Sequence, residues 1–192
     1  MDLNSLKKEI EGYIPFNEQE KEDRKEILRY ISESDDVLTR DNRNAHITVS
    51  GWVVGKDRKK VLMAYHNIYN SWAWLGGHAD GNANLKDVVL KEIAEESGLT
   101  DVMFVSEDIF SLEILTVSGH EKRGRYVPSH LHLNFTYLLE ADPCSPIRIK
   151  EDENSMIGWL DVEEIAEKST ESWFVERIYS KLEKKVEQLS KA

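Results

Sequence analysis

The chain has 192 residues, enough for one domain with a sizeable core or for one domain plus an appendage. Its formal net charge of −11, with 40% hydrophobic and 32% charged residues, suits a water-exposed globular chain and argues against a nucleic-acid polymer or an anionic membrane as partner. A single cysteine, Cys144, excludes an intrachain disulfide and a cysteine-based zinc cluster, and the absence of any long apolar run predicts no signal peptide, no membrane span and a cytoplasmic location.

Leu3 to Ile10 reads as a short helix, with Pro15 before the next start. Asn17 is placed to cap a second helix, Glu18 to Ser32, which sets Ile27, Leu28 and Ile31 on one side and solvated charges elsewhere. That charged face reads as solvated, with a homodimer or substrate-lid surface as the alternative. Asp35 to Asn44 is polar and reads as a linker, so residues 1–43 are expected to form a helical extension and 44–192 the main domain.

Ala45 to Val54 is rich in β-branched residues and predicts a strand. Gly55 to Arg58 reads as a turn and Lys60 to His66 as the returning strand. The pattern Gly51-x3-Gly55-Lys56-Asp57 is one residue short of a phosphate loop and lacks its Ser or Thr, so that reading is rejected. Ser71 to Leu75 is a short strand delivering the chain to Gly76 and Gly77.

The stretch from Gly76 to Leu99 is the most informative. A glycine turn feeds a helix with Asn84 placed as N-cap and Gly98 placed to close the C-terminus. At about 100° per residue, Leu85, Val88, Val89, Glu92, Glu95 and Glu96 fall on one side, with Ile93 extending it. Three carboxylates thus continue an apolar stripe, where they are costly unless a cation compensates them. Oxygen donors packed this closely suit Mg²⁺ or Mn²⁺.

Val102 to Val105 and Ser111 to Val117 alternate like strands. Ser118 to Ser129 is a polar loop carrying Lys122, Arg123, Arg125 and Tyr126. It reads either as an exposed β-loop or as a substrate loop, with cations for phosphate and an aromatic face for a base. His130 to Glu140 is the clearest strand, with His130, His132, Asn134 and Thr136 on one face. That polar face is expected to border a wet cleft, with His132 and the earlier His78 among the groups that contact substrate. The alternatives are ordinary partly buried histidines, or a zinc pair at His130 and His132 that lacks an obvious third protein ligand. Cys144 lies beside Pro143 with no cation to activate it. Glu163 to Lys168 predicts a short helix and Ser172 to Leu189 a longer one, with Phe174, Ile178, Leu182 and Val186 as its core stripe. Trp52 and Trp74 read as core residues, with stacking on a base as the alternative.

The segment after Gly76 resembles the Nudix box, G-x5-E-x7-R-E-U-x-E-E-x-G-U, where U is bulky and aliphatic. Gly77 matches the first glycine, and Glu92, Ile93, Glu95, Glu96, Gly98 and Leu99 match the second half in order. Ala83 stands where the family has its first Glu, and Lys91 where it has Arg. The resemblance covers Ala45 to Glu167. It implies an α/β/α sandwich with a mixed sheet, here with extra N-terminal and C-terminal helices. It also implies metal-dependent hydrolysis of the pyrophosphate bond in a nucleoside diphosphate linked to another group. Glu92, Glu95, Glu96 and the Gly77 carbonyl would hold Mg²⁺ or Mn²⁺, with Lys91 in part of the arginine's role. Glu96, Glu121, Glu151 and Glu153 are the rival general bases. The small-molecule substrate would meet His78, Arg123, Arg125, Tyr126 and His132. The absence of proline between Leu99 and Val127 disfavours ADP-ribose. Ala83 and Lys91 motivate the competing expectation, a non-catalytic nucleotide-binding or regulatory module of the same fold.

Overall fold

The structure, a computed structural model, describes residues 2–68, 70–122, 124–150 and 154–189. Two helices open the chain, α1 (Leu3–Gly12) and α2 (Glu18–Glu33). Asp2 caps the first by accepting from the Ser5 N–H at 2.8 Å, and Asn17 caps the second by accepting from the Glu20 N–H at 2.9 Å. Then come β1 (Ala45–Val54), β2 (Lys60–His66), β3 (Ser71–Ala73), β4 (Leu75–His78) and α3 (Leu85–Ser97). The second half carries β5 (Met103–Phe104), β6 (Ser111–Val117), β7 (His120–Lys122), β8 (Arg125–Val127), β9 (His130–Glu140) and β10 (Asn154–Asp161). It ends in α4 (Ile165–Lys168), α5 (Ser172–Phe174) and α6 (Ser180–Leu189). The architecture is α/β with helices added at both ends, as expected.

The chain divides into two compact units, and β1, α3 and β9 each run from one into the other. The first unit comprises residues 1–50, 77–89 and 108–137. Its main ladder is β6 against β9, antiparallel, from Ser111 opposite Thr136 to Val117 opposite His130. The register puts Glu113 opposite Asn134, and the two are hydrogen-bonded. The stretch 35–44, read as a linker, is docked instead. Val37 is fully buried, and its carbonyl accepts from the Ile47 N–H at 2.7 Å. The Leu38 carbonyl accepts from the Gly81 N–H, and Arg40 pairs with Asp80. Its polar composition masks a single apolar anchor, which is why it reads as a linker.

The second unit comprises residues 51–76, 90–107 and 138–192. Here β2 pairs with β10 on one edge and with β3 and the end of β1 elsewhere, all antiparallel. A bulge between Asn154 and Met156 shifts the β10 register. β3 stops one residue short of Trp74, which separates it from β4. The long C-terminal helix is interrupted by a π-helical turn, Val175–Tyr179, which brings Tyr179 inward. Tyr179 stacks on Trp52 at 5.5 Å between ring centroids and meets the edge of Trp74 at 5.7 Å. Trp52 is therefore core and unavailable to a base.

Candidate active site

The second half of α3 belongs to the second unit and carries the acidic residues. Ile93 is fully buried and lies against the bare Gly51 backbone of β1; a Cβ on Gly51 would sit 2.7 Å from Ile93 Cδ1. This close approach needs glycine. Gly98, at φ +76°, closes the helix as expected. Its N–H donates to the Ala94 carbonyl at 3.0 Å, and the Arg148 N–H caps the Ser97 carbonyl at 2.8 Å. At the other end the cap differs from expectation. The Asn84 carbonyl accepts from the Val88 N–H, but its side-chain amide donates to Asp87 at 2.6 Å rather than accepting from the helix.

The three carboxylates do not share one environment. Glu96 is 7% exposed, and the Glu92 side chain is 13% exposed. Glu95 has a side chain 44% exposed and sits between two cations, Lys91 at 3.3 Å and Lys150 at 3.9 Å. Lys91 also approaches Glu92, at 3.7 Å. Glu92 and Glu96 thus continue the buried stripe, whereas Glu95 stands on its flank. Ala83 is buried where the box has its first carboxylate, so a methyl group replaces that charge. Gly77, the remaining residue of the implied ligand set, lies in β4 and in the first unit.

The first unit holds the residues assigned to substrate. Ser118 to Ser129 is not an open loop; it folds back as the β7–β8 hairpin, with Glu121 opposite Tyr126. Arg125 is exposed, and Tyr126 is 69% exposed with its hydroxyl over Gly119. Arg123, Glu151 and Glu153 lie outside the described residues, as does the Lys122 side chain. Glu121 is exposed on β7.

His78 and His132 sit in an imidazole cluster that the sequence does not disclose. The rings of His46, His78, His130 and His132 lie with centroids 4.9–5.1 Å apart in five of their pairings. Burial, reinforced by the neighbouring histidines, pushes His132 down to about 2, and burial likewise lowers His46 below the ordinary histidine value. The period-two spacing of His130 and His132 signals that pair; nothing local signals His46.

The polar face of β9 does not border water throughout. Asn134 and Thr136 are buried and bonded to Glu113, which is itself fully buried. Thr48 and Ser50 donate to Asn134 Oδ1, each at 3.0 Å. Ser111 bridges Glu113 to Glu20, a fully buried carboxylate on the helix read as solvated on its charged side. Glu20 also accepts from the Tyr13 hydroxyl at 2.6 Å and the Phe16 N–H at 2.7 Å. Burial and the Glu20 carboxylate beside it push the Tyr13 phenol far above its usual range. The Asn134 and Thr136 partners of Glu113 lie on another strand, and Glu20 combines the nearby Tyr13 and Phe16 with the distant Ser111. Cys144 is exposed and free.

The family model for the NUDIX domain matches residues 44–182. The chain belongs to the Nudix family. No functionally curated protein matches the sequence. Among solved structures, the C. elegans Ap4A hydrolase in a binary complex is similar, at TM-score 0.54 and 18% identity over 76% of this chain and 98% of that one. A NUDIX-family hydrolase from Clostridium perfringens has TM-score 0.50 and 20% identity, covering 76% and 99% of the two chains. The MutT protein from Methanosarcina mazei Go1 has TM-score 0.50 and 16% identity, covering 77% and 97%. These likenesses concern the fold.

Proposed function

We propose that the chain is a divalent-metal-dependent pyrophosphohydrolase acting on a nucleoside diphosphate linked to another group. The observation that carries this reading is the pairing of Glu92 with Glu96, one helical turn apart and both largely withdrawn from solvent. Withdrawn carboxylates at this spacing, with Glu95 on their flank, form a hard oxygen donor set suited to Mg²⁺ or Mn²⁺. Among the described residues their oxygens do not gather as a set within 4.8 Å, so these side chains would have to turn toward one another to share an ion.

When bound, the ion supplies charge neutralisation for the pyrophosphate and a lowered pKa for the attacking water. Glu92, Glu95 and Glu96 would hold it. Lys91 keeps the two flanking acids, Glu92 and Glu95, close without the bidentate fork an arginine would offer. A carboxylate not engaged by the ion takes the proton from water. Arg125 and Tyr126 remain the candidate contacts for phosphate and base. Residues 44–192 would be the catalytic domain, 1–43 its extension, and the charged side of α2 a homodimer surface. No helix among the described residues is long and apolar enough to cross a membrane, and a cytoplasmic small-molecule substrate fits this reading.

The test is a pyrophosphatase screen over dinucleotides, nucleotide sugars and nucleoside triphosphates with Mg²⁺ and Mn²⁺. Turnover that requires the ion, and that falls by at least about 100-fold in Glu96→Gln, supports the reading. Nucleotide binding without turnover, unaffected by Glu96→Gln, sinks it in favour of a regulatory module.

A further inference from the structure

The imidazole cluster of the first unit has a chemistry of its own. His46 is the second residue of β1, and His130 and His132 are the first and third of β9. Among the described residues, one set of three His, Cys, Asp or Glu residues brings its ligand atoms within 4.8 Å of one another, and it is His46, His130 and His132.

Hydrogen bonding settles the tautomers. His46 Nδ1 lies 2.9 Å from the Asn42 carbonyl, and His130 Nδ1 lies 2.8 Å from the Pro128 carbonyl. A carbonyl only accepts, so both Nδ1 atoms carry the proton and both Nε2 atoms carry a bare lone pair. This is the arrangement that outer-shell carbonyls impose on metal-binding histidines. His46 Nε2 is buried and has no hydrogen-bond partner among the described residues. His130 Nε2 faces His132 Nε2 at 3.2 Å. A proton on His132 Nε2 would satisfy that pair, yet it would leave His46 Nε2 a buried acceptor without a donor. A cation shared by all three rings satisfies every lone pair. For a tetrahedral ion about 2.0–2.1 Å from each nitrogen, two ligand nitrogens stand about 3.3 Å apart, close to the spacing His130 and His132 already have.

We propose that His46, His130 and His132 form a Zn²⁺ site, different in donor chemistry from the carboxylates of α3. Three neutral imidazoles without a carboxylate favour zinc over Mg²⁺ or Mn²⁺. A three-histidine set leaves a fourth coordination position for solvent or another donor. The His78 ring stands next to it, 5.1 Å from His46 and 4.9 Å from His132 between centroids. The assignment makes His132 a ligand rather than a substrate contact. It also supplies the third ligand missing from the histidine pair on β9.

The full chain, stripped with a chelator, is titrated with Zn²⁺ against a chromophoric competitor and, separately, with Co²⁺ in the visible range. One Zn²⁺ per chain and the intense bands of tetrahedral Co²⁺ are expected. Outer-shell partners alone are worth about 10–100-fold in affinity, so His130→Gln or His132→Gln should weaken binding at least about 100-fold. Glu92→Gln with Glu96→Gln should leave it within about threefold, since no carboxylate of α3 belongs to the set. Should the histidine variants fail to fold, zinc-edge anomalous diffraction from wild-type crystals decides, with a peak expected among the three Nε2 atoms. Absent stoichiometric binding, octahedral Co²⁺ spectra, or zinc lost with the glutamates and kept without the histidines would each overturn the assignment.

Discussion

Lys91 reaches forward one turn along α3 to Glu95, 3.3 Å away, and its ammonium is also 3.7 Å from Glu92. The ion pair is half-exposed, so its direct energetic value is small. Its consequence is competition: the ammonium occupies space and charge that a divalent ion would take. Lys91→Ala should therefore lower the Mn²⁺ concentration needed for half-maximal activity by about two- to threefold and cost less than about tenfold in kcat. A metal titration of initial rates checks both. A loss in kcat of several hundred-fold with unchanged metal demand would mean that Lys91 touches the substrate instead.

Gly51 and Ile93 make a second prediction, on stability. A Cβ at Gly51 would meet Ile93 Cδ1 at 2.7 Å. Gly51→Ala should destabilise by about 1–3 kcal/mol through overpacking. Ile93→Val removes the offending Cδ1, at a cost of about 0.5–1.5 kcal/mol by itself. Combined, the two substitutions should cost less than the sum of their separate effects in urea melts. Strict additivity would show that the contact does not limit the approach of strand and helix.

Asn134 holds four buried partners, accepting from Thr48 and Ser50 and donating to Glu113 and Thr136. Asn134→Ala strands these groups and should cost on the order of 3 kcal/mol, read by chemical denaturation. Asn134→Asp keeps the shape but sets a second carboxylate against buried Glu113. It should be worse than alanine at pH 8 and recover as the pH falls through the carboxylate range. Equal stability of the two variants at pH 8 would contradict the direct contact between residue 134 and Glu113.

Glu183 on α6 is half-buried, and burial, with Glu187 adding to it, raises its carboxyl from 4.5 to about 7. The folded chain thus holds this proton more tightly than the unfolded chain does. Its stabilising contribution is complete below pH 4.5, fades as pH rises to about 7, and is flat above. Glu183→Gln should leave stability near pH 4.5 unchanged and raise it at pH 8 by about 1 kcal/mol, a figure reduced for solvent screening. Thermal melts across that range check the sign; a variant less stable at pH 8 would refute it.

Local pattern made the box helix readable. Its buried Leu85, Val88, Val89 and Ile93 follow from the 3.6-residue period, its stop from Gly98, β6 and β9 from alternation, and β1 from its β-branched content. The burial of a charged side chain, by contrast, is not written in any local period. Glu95 turns out on the flank because it lies about 100° from Glu96 around the helix, far enough to reach Lys150 and solvent. Glu20 looked like one more charge on a solvated helix, yet it is sealed beneath Tyr13 and Ser111.

The amino-acid order alone determined the family, the helix that bears the acids and most strand limits, because each is written within one short, continuous stretch of neighbouring residues. Only the folded chain decided which polar groups lose water and which meet. His46 joins His130 and His132 through the approach of segments far apart in sequence, and Glu113 finds Asn134 through strand register. Such encounters depend on how the backbone closes on itself, and no periodicity along the chain encodes them.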